Sequence, residues 1–266
     1  MPNESENTRP TISNIRKMLS QAEKGGVQNT IQNCVTVLQN DPILADSIRL
    51  NLLSERIDIV KPMGWQRSGP TLTDTDMMYI LRRMKKYGLY SEKRVSAAIR
   101  IVANENHYHP IRDYLNELKW DGTARISRAL HRFLGAAEDE LTTEALKIFL
   151  LGAIKRVFHP GCKFEMMLCL VGGQGAGKSS FFRLLAIKDE WFSDDLRRLD
   201  DDNVFRKLQG HWIMEMSEMI ATANAKSIEE IKSFLSKQKE TYKVPYETHP
   251  ADRLRQCVFA GTTNRQ

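Results

Sequence analysis

The sequence predicts an α/β protein in which a mainly parallel sheet follows a mostly helical N-terminal region. Three apolar segments have the length of buried strands and end at polar residues: 166–171, 211–217 and 256–260. A helical pattern with one apolar face follows the first segment, over residues 180–186. Strands that alternate with helices are typical of parallel sheets, whose polar strand ends meet at one edge.

Composition sets broad limits on the protein class. The chain has 266 residues, of which 41% are hydrophobic and 27% are charged, so wholly disordered, collagen-like and coiled-coil proteins are excluded. The net charge of +6 permits polyanionic partners without requiring them. Because no apolar run reaches membrane-spanning length and the N-terminus lacks a secretory pattern, we expect a cytoplasmic protein with no membrane partner.

We expect three regions along the chain. Residues 1–111 predict a mostly helical domain whose first 11 or so residues are flexible, 112–160 a helical adapter, and 161–266 the α/β core. Two predicted helices on either side of Gly88 contain seven basic residues, which either contact nucleic-acid phosphates or form an ordinary solvated face. These residues are Arg82, Arg83, Lys85, Lys86, Lys93, Arg94 and Arg100.

A glycine-rich motif connects the first predicted core strand to its helix. Residues 172–179 match G-x-x-x-x-G-K-[ST], whose backbone amides bind phosphate oxygens at a helix N-terminus. Lys178 is placed to contact the β- and γ-phosphates of ATP, and the Ser179 hydroxyl to bind Mg²⁺. The alternative is a glycine-rich connection with no ligand. The predicted ATP-binding residues are Gly172, Gly173, Gln174, Gly175, Ala176, Gly177, Lys178, Ser179 and Ser180.

Acidic and amide side chains follow the other two predicted strands. Glu215 falls at the expected end of the second strand, and Glu218 follows three residues later. Either carboxylate can bind Mg²⁺ or orient an attacking water, although surface acids at a helix start are the alternative. Asn264, after the third strand, can hydrogen-bond that water and the γ-phosphate. The predicted catalytic residues are Lys178, Glu215, Glu218 and Asn264, and the predicted metal ligands are Ser179 and Glu215.

A basic and aromatic segment lies between the second and third strands. Residues 237–255 predict a β-hairpin that either contacts DNA through its phosphates and bases or has ordinary surface lysines. The candidate nucleic-acid residues are Lys237, Lys239, Tyr242, Lys243, Arg253 and Arg255.

These motifs together resemble the virulence-associated protein E family, P-loop ATPases of prophages and mobile elements that are related to superfamily 3 helicases. The likeness also includes Asn33-Cys34, Asp41-Pro42, His109-Pro110, Asp113-Tyr114-Leu115, Trp120-Asp121-Gly122, Trp191-Phe192-Ser193-Asp194, Ile231-Lys232-Ser233-Phe234-Leu235, Tyr242-Lys243-Val244-Pro245-Tyr246 and Gly261-Thr262-Thr263-Asn264. The resemblance implies a three-layer, AAA+-like P-loop core with a Walker A loop at 172–179, Walker B at Glu215 and possibly Glu218, and a sensor at Asn264.

The resemblance also implies a helicase-like, Mg²⁺-dependent ATPase of DNA replication. Its expected partners are DNA, a primase or other replication proteins, and copies of itself in a ring. Lys243 stands where relatives often have arginine, which keeps the charge but loses bidentate phosphate contact.

One departure from the family concerns the C-terminus. Relatives continue past the sensor with a Gly-Asn-Arg-Arg-Phe-like stretch that supplies an arginine finger, so we expect the chain ending at Gln266 to be truncated and its turnover to be reduced. Two other functions stay open: a nucleotide-binding regulatory module without significant turnover, and a small-molecule kinase.

Overall fold

The computed structural model describes residues 10–196, 199, 204–217, 225–242 and 251–264. The chain divides into two compact units, Met1–Pro110 and Ile111–Gln266. Residues 1–9 of the predicted flexible start lie outside the described part. The further division of the second unit into an adapter and a core stays a prediction.

The first unit is mostly helical and contains one antiparallel strand pair. Its elements are α1 (Ile12–Met18), α2 (Ile31–Asn40), β1 (Ile48–Asn51), β2 (Arg56–Ile59), α3 (Asp74–Lys85) and α4 (Glu92–Glu105). Each helix begins after a hydroxyl side chain that accepts a hydrogen bond from a first-turn amide, and these N-caps are Thr11, Thr30, Thr73 and Ser91. The apolar faces of all four helices pack in one core around Ile15, Leu38, Ile80 and Ile99.

The second unit combines helices with a parallel sheet. Its elements are α5 (Pro110–Glu117), α6 (Ile126–Leu134), α7 (Glu140–Phe158), β3 (Met167–Val171), α8 (Lys178–Leu185), β4 (Phe192–Ser193), α9 (Val204–Leu208), β5 (Ile213–Ser217), α10 (Ala225–Ser236), β6 (Lys239–Tyr242), β7 (Ala251–Leu254) and β8 (Val258–Thr263). The four sheet strands run parallel in the order β3, β8, β5, β4. The mixed α/β class and the parallel sheet are therefore confirmed.

Strand order determines which polar ends lie together. Because β8 pairs with both β3 and β5, the end of β8 is adjacent to the ends of both neighbours. Val171 lies opposite Thr263, and Ser217 lies opposite Thr262. The glycine-rich motif that follows β3 is therefore next to the polar ends of the other two strands.

A buried arginine fixes the start of β8 against helix α7. Arg156 donates from Nη1 to the carbonyl of Cys257 at 2.8 Å and from Nη2 to the carbonyl of Phe164 at 2.7 Å. The side chain is fully buried, and burial lowers the pKa of Arg156. The neighbouring Trp212 donates from its indole to the Ala153 carbonyl of the same helix at 3.0 Å. These bonds hold the central strands on α7.

Within the described residues, none of the helices combines the length and the apolar character that crossing a bilayer requires.

Candidate functional site

The glycine loop, residues 172–177, connects β3 to α8 and forms one wall of an open cavity. Gly175 has φ +79° and Gly177 has φ +82°, a left-handed conformation that glycine adopts most readily. A Cβ built at Gly172, Gly173 or Gly175 meets no atom within 4 Å, so the loop faces free space. The cavity has a volume of about 340 Å³ and is lined by Gln174, Gly175, Ala176, Gly177, Lys178, Ser179, Ser180, Ser217, Thr262 and Asn264.

The first turn of α8 borders this cavity through Lys178, Ser179 and Ser180. Gly177 occupies the N-cap position, and within the described residues no side chain caps the helix there. The free N–H groups at this N-terminus form the positive end of the helix dipole. This end of α8 can therefore accept an anion.

Lys178 and Asn264 are in direct contact. The Lys178 ammonium group donates to the carbonyls of Gly172 at 2.7 Å and Gly173 at 2.8 Å, and to Oδ1 of Asn264 at 3.0 Å. These two predicted site residues, from α8 and from the end of β8, therefore lie at the same point of the cavity.

Glu215 lies beside them with its side chain fully buried. Its Oε1 accepts hydrogen bonds from the hydroxyls of Ser179 at 2.7 Å, Ser217 at 3.1 Å and Thr262. Its Oε2 is buried and has no hydrogen-bond partner among the described residues. Three donors on one oxygen fix the carboxylate and leave the second oxygen available to a further donor or a cation.

The position of Glu215 within its strand differs from the prediction. The sequence placed it at the strand end, whereas β5 continues to Ser217, so Glu215 is the third of five strand residues. Ser217 lies on the same face two residues later because side chains alternate along a strand. The carboxylate is consequently buried, and the hydroxyl of Ser217 is nearer the edge.

Two residues of the site, Ser217 and Thr262, were missed by the sequence analysis. The period-two alternation from Glu215 could have indicated Ser217. Thr262 depends on the pairing of β5 with β8, which places it opposite Ser217. The sequence contains no comparable signal for that register.

The site fits a cation that is coordinated mostly by phosphate and water oxygens and by few protein side chains. Within the described residues there is no group of three or more His, Cys, Asp or Glu side chains able to hold a metal. One carboxylate with an unpaired oxygen and one adjacent hydroxyl, from Glu215 and Ser179, form the available set. Mg²⁺ in phosphate sites is typically bound by one or two protein ligands, with phosphates and water completing its shell. These two residues can therefore hold Mg²⁺ only together with a phosphate ligand.

Comparison with models of known protein families shows which family this chain belongs to. The model of the virulence-associated protein E-like domain matches residues 115–266, which are more than half of the chain. The chain belongs to the virulence-associated protein E-like domain family. The resemblance inferred from its motifs is therefore confirmed.

Two solved structures of the NrS-1 C-terminal region in its apo form have a similar fold. Their TM-scores are 0.51 and 0.52 at 14% and 13% identity, and they cover 87% and 89% of this chain. The chain spans only 56% and 58% of their length. No curated protein sequence matches the chain.

In this virulence-associated protein E-like domain, β6 and β7 pair antiparallel, which confirms the predicted hairpin pairing. Lys239 and Asp252 form an exposed ion pair at 2.5 Å across the two strands. Lys237 is exposed, and its Nζ lies 4.0 Å from a carboxylate oxygen of Glu240. Arg253 is half-buried. Two of the predicted basic residues, Lys237 before β6 and Lys239 within it, are thus exposed to solvent.

The prediction that Arg255 contacts nucleic acid was wrong for this conformation. The residue is 3% exposed, and its guanidinium donates from Nε at 2.9 Å and from Nη2 at 2.5 Å to Oε1 of Glu240. The group also lies over the rings of Phe234 and Phe259. Arg255 therefore connects the hairpin to α10 and β8 in the interior of the unit.

Glu218 and Lys243 lie outside the described residues, as does the side chain of Tyr242 in β6.

Proposed function

We propose that the chain has a P-loop core that binds ATP with Mg²⁺ and hydrolyses it during DNA replication of a phage or mobile element. One observation carries the proposal: Lys178, Asn264, Ser179 and Glu215 converge on a single cavity beside the glycine loop. They come from α8, β5 and the end of β8, so the site depends on the fold of the whole sheet.

ATP binding follows from the charges at the cavity. A triphosphate enters the free space over the glycine loop and accepts hydrogen bonds from the first-turn amides of α8. Lys178 exchanges the carbonyls of Gly172 and Gly173 for phosphate oxygens, which are stronger partners for an ammonium group because they are charged. Asn264 already contacts Lys178 and therefore lies within reach of the terminal phosphate.

The buried carboxylate supplies the second half of the site. Ser179 and Glu215 are 2.7 Å apart through their side-chain oxygens, so both can bind the same cation. Mg²⁺ held by these two residues would neutralise negative charge on the phosphates. The three hydroxyl donors keep the Glu215 carboxylate in a fixed orientation, which lowers the cost of organising it when substrate enters.

Hydrolysis requires a water in line with the terminal phosphate. Asn264 is exposed and can position that water by accepting one of its hydrogens. The carboxylate of Glu215 can accept the other through a second water. The cavity therefore contains the groups for positioning and charge neutralisation that phosphoryl transfer needs.

DNA contact is assigned to the β6–β7 hairpin. Lys239 can exchange Asp252 for a DNA phosphate at little cost, because exposed ion pairs contribute only about 0–1 kcal/mol. The chain runs from β7 through the buried Arg255 into β8, whose end carries Asn264. This short connection would let a movement of the hairpin on DNA reach the phosphate cavity through one strand. The proposed role in replication is supported by membership of the virulence-associated protein E-like domain family.

The test is Mg²⁺-dependent phosphate release with and without single-stranded DNA. We expect wild-type activity to rise with DNA and Glu215→Gln to reduce it by about 10²-fold or more, because the variant removes the charge at the cation position. Glu190→Gln, an exposed carboxylate outside the cavity, is the matched control and should leave the rate unchanged. Equal rates in the two variants would refute the proposed role of Glu215.

A second candidate is a nucleotide-binding module without significant turnover. Among the described residues lining the cavity, Lys178 is the only cation, so a second positive group for the transition state is absent there. Such a group can contribute about 10³–10⁵ in rate. Tight ATP binding with no phosphate release, with or without DNA, would select this candidate.

A further inference from the structure

A concentration of positive charge on the first unit is not explained by the phosphate cavity. Of the eight charged residues from 82 to 100, seven are basic and only Glu92 is acidic. They follow one another through the last turn of α3, the Gly88 turn and the first three turns of α4. The surface formed by these residues of the first unit is therefore strongly positive.

Six of these basic side chains are exposed. Arg83 is the exception, because its Nε donates to the buried Asp41 at 2.8 Å and thus has a structural role. The six others have no ion pair to any residue that the structure describes. Some exposed basic residues elsewhere do have such partners, as in Arg125 with Asp121 and Lys147 with Glu144. Six exposed cations close together in the chain concentrate positive charge that no neighbouring carboxylate neutralises.

Helix electrostatics explain only part of the arrangement. Arg82 and Lys85 lie in the last turn of α3, where a cation is favoured by the helix dipole. Lys93 and Arg94 lie in the first turn of α4, where the dipole disfavours a cation and the α3 residues add repulsion. Lys93 and Arg94 thus lower the stability of α4. Binding of a negatively charged ligand would explain why basic residues occupy these two positions.

The edge also presents an aromatic ring. Tyr90 is 65% exposed, directly before the N-cap Ser91 of α4 and between the two basic runs. Arg16 of α1 reaches the same place, because its guanidinium donates from Nε to the carbonyl of Lys86 at 3.1 Å. We name this the basic turn surface; its residues are Arg16, Arg82, Lys85, Lys86, Tyr90, Lys93 and Arg94.

From these observations we propose that the basic turn surface binds single-stranded nucleic acid, with its cations on the phosphates and a base stacked on Tyr90. Six cations on one surface complement the regularly spaced phosphates of a nucleic-acid strand. Single strands offer unpaired bases for stacking, which duplexes do not, and the exposed ring favours them. Arg100, seven residues after Lys93 on the same face of α4, extends the phosphate path.

The basic turn surface shares no residue with the hairpin or with the phosphate cavity, and the inference does not rest on the proposed hydrolysis. Binding here requires neither ATP nor Mg²⁺. A failure of the ATPase would leave this inference intact, and a failure of this inference would leave the ATPase intact.

The experiment measures fluorescence anisotropy of a labelled oligothymidylate of about 20 nucleotides with the full chain, without nucleotide. The variant Lys86→Ala/Lys93→Ala/Arg94→Ala removes three cations from the basic turn surface. The control Lys147→Ala/Lys163→Ala/Lys232→Ala removes three exposed, ion-paired lysines and changes the net charge equally.

We expect the first triple variant to bind at least about tenfold more weakly. Its slope of log affinity against log salt should fall by about 2, since each lost phosphate contact on a single strand removes about 0.7. The control should stay within about twofold of wild type on the same electrostatic argument. Equal losses in the two variants would overturn the proposal, because only net charge would then matter.

Tyr90 gives an independent test of stacking. Tyr90→Ala should weaken binding about tenfold, while Tyr90→Phe, which keeps the π-face, should stay within about twofold. A duplex of the same length should not respond to Tyr90→Ala. Loss of binding to anionic vesicles in the first triple variant, with unchanged oligonucleotide affinity, would assign the surface to lipid and overturn the proposal.

Discussion

The hydroxyl of Ser179 donates to Oε1 of Glu215 across 2.7 Å, although the two residues are 36 positions apart in the chain. This bond joins the first turn of α8 to the middle of β5 and places a carboxylate beside the glycine loop. The same oxygen also accepts from Thr262 and Ser217. The carboxylate is therefore held from three sides before any ligand enters.

Thr262 should act through the orientation of Glu215. Thr262→Val keeps the shape of the side chain and removes one donor, which should cost about 1 kcal/mol of unfolding free energy. The larger expected effect is a higher Mg²⁺ concentration for half-maximal ATP binding, because the carboxylate loses its fixed orientation. Thr262→Ser retains the hydroxyl and should restore the wild-type Mg²⁺ dependence in the same titration. An unchanged Mg²⁺ dependence in Thr262→Val would refute the positioning role.

The glycine loop offers a matched pair of alanine substitutions. Gly177→Ala should lower the unfolding free energy by about 1–2 kcal/mol, because φ +82° is strained for alanine. At Gly173, where an added methyl group meets no atom within 4 Å, stability should be unchanged. Gly173→Ala should nevertheless weaken ATP binding, since its methyl group occupies space assigned to the phosphates. Urea unfolding and nucleotide titration separate these effects, and normal ATP affinity in Gly173→Ala would contradict the assignment.

The buried pair at the base of the hairpin should matter far more than the exposed pair. Glu240→Ala leaves Arg255 as a buried charge without its carboxylate and should destabilise the chain by about 3–5 kcal/mol. Asp252→Ala breaks the exposed pair with Lys239 and should cost less than about 1 kcal/mol. Thermal or urea unfolding measures both changes. Similar small losses would show that Arg255 is not held by Glu240 in solution.

Acid should destabilise the first unit through Asp76. Burial by itself would raise the pKa of this carboxyl, but hydrogen bonds from Arg67, Trp65 and Thr73 outweigh burial and hold the pKa well below its usual range. A folded-state pKa below the unfolded value of about 3.9 contributes stability above that value, and the contribution is lost as the pH falls through the folded pKa.

The comparison with Asp76→Asn isolates this contribution from that of other carboxylates. The variant should be less stable than wild type at pH 7, and urea titrations should show the difference shrinking below about pH 4. A difference that stays constant from neutral to acidic pH would mean that Asp76 is not ionised in the folded protein.

Local patterns explain why much of the architecture was predictable. Helix α3, one of the two helices expected on either side of Gly88, begins after Thr73, which forms a capping box with Asp76 that is visible in the sequence. The glycine loop and its flanking strand and helix were equally visible, since each is defined by consecutive residues. Helix α2 and strand β1 were not predicted.

Contacts between distant segments were less predictable. Thr262 enters the site only through the register of β5 with β8, which no local pattern encodes. Arg255 was taken for a surface residue because its partner Glu240 lies 15 positions away, across a hairpin. Charge alone does not distinguish an arginine that faces DNA from one that is buried against a carboxylate and two aromatic rings.

The central claim is that a triphosphate binds over the glycine loop with Lys178 as its cationic partner. Equilibrium binding of a fluorescent ATP analogue, with and without Mg²⁺, tests it most directly. The account predicts Mg²⁺-dependent binding that weakens at least about tenfold in Lys178→Ala and is unchanged in Lys147→Ala, an exposed lysine outside the cavity. Equal affinity of wild type and Lys178→Ala would contradict the account.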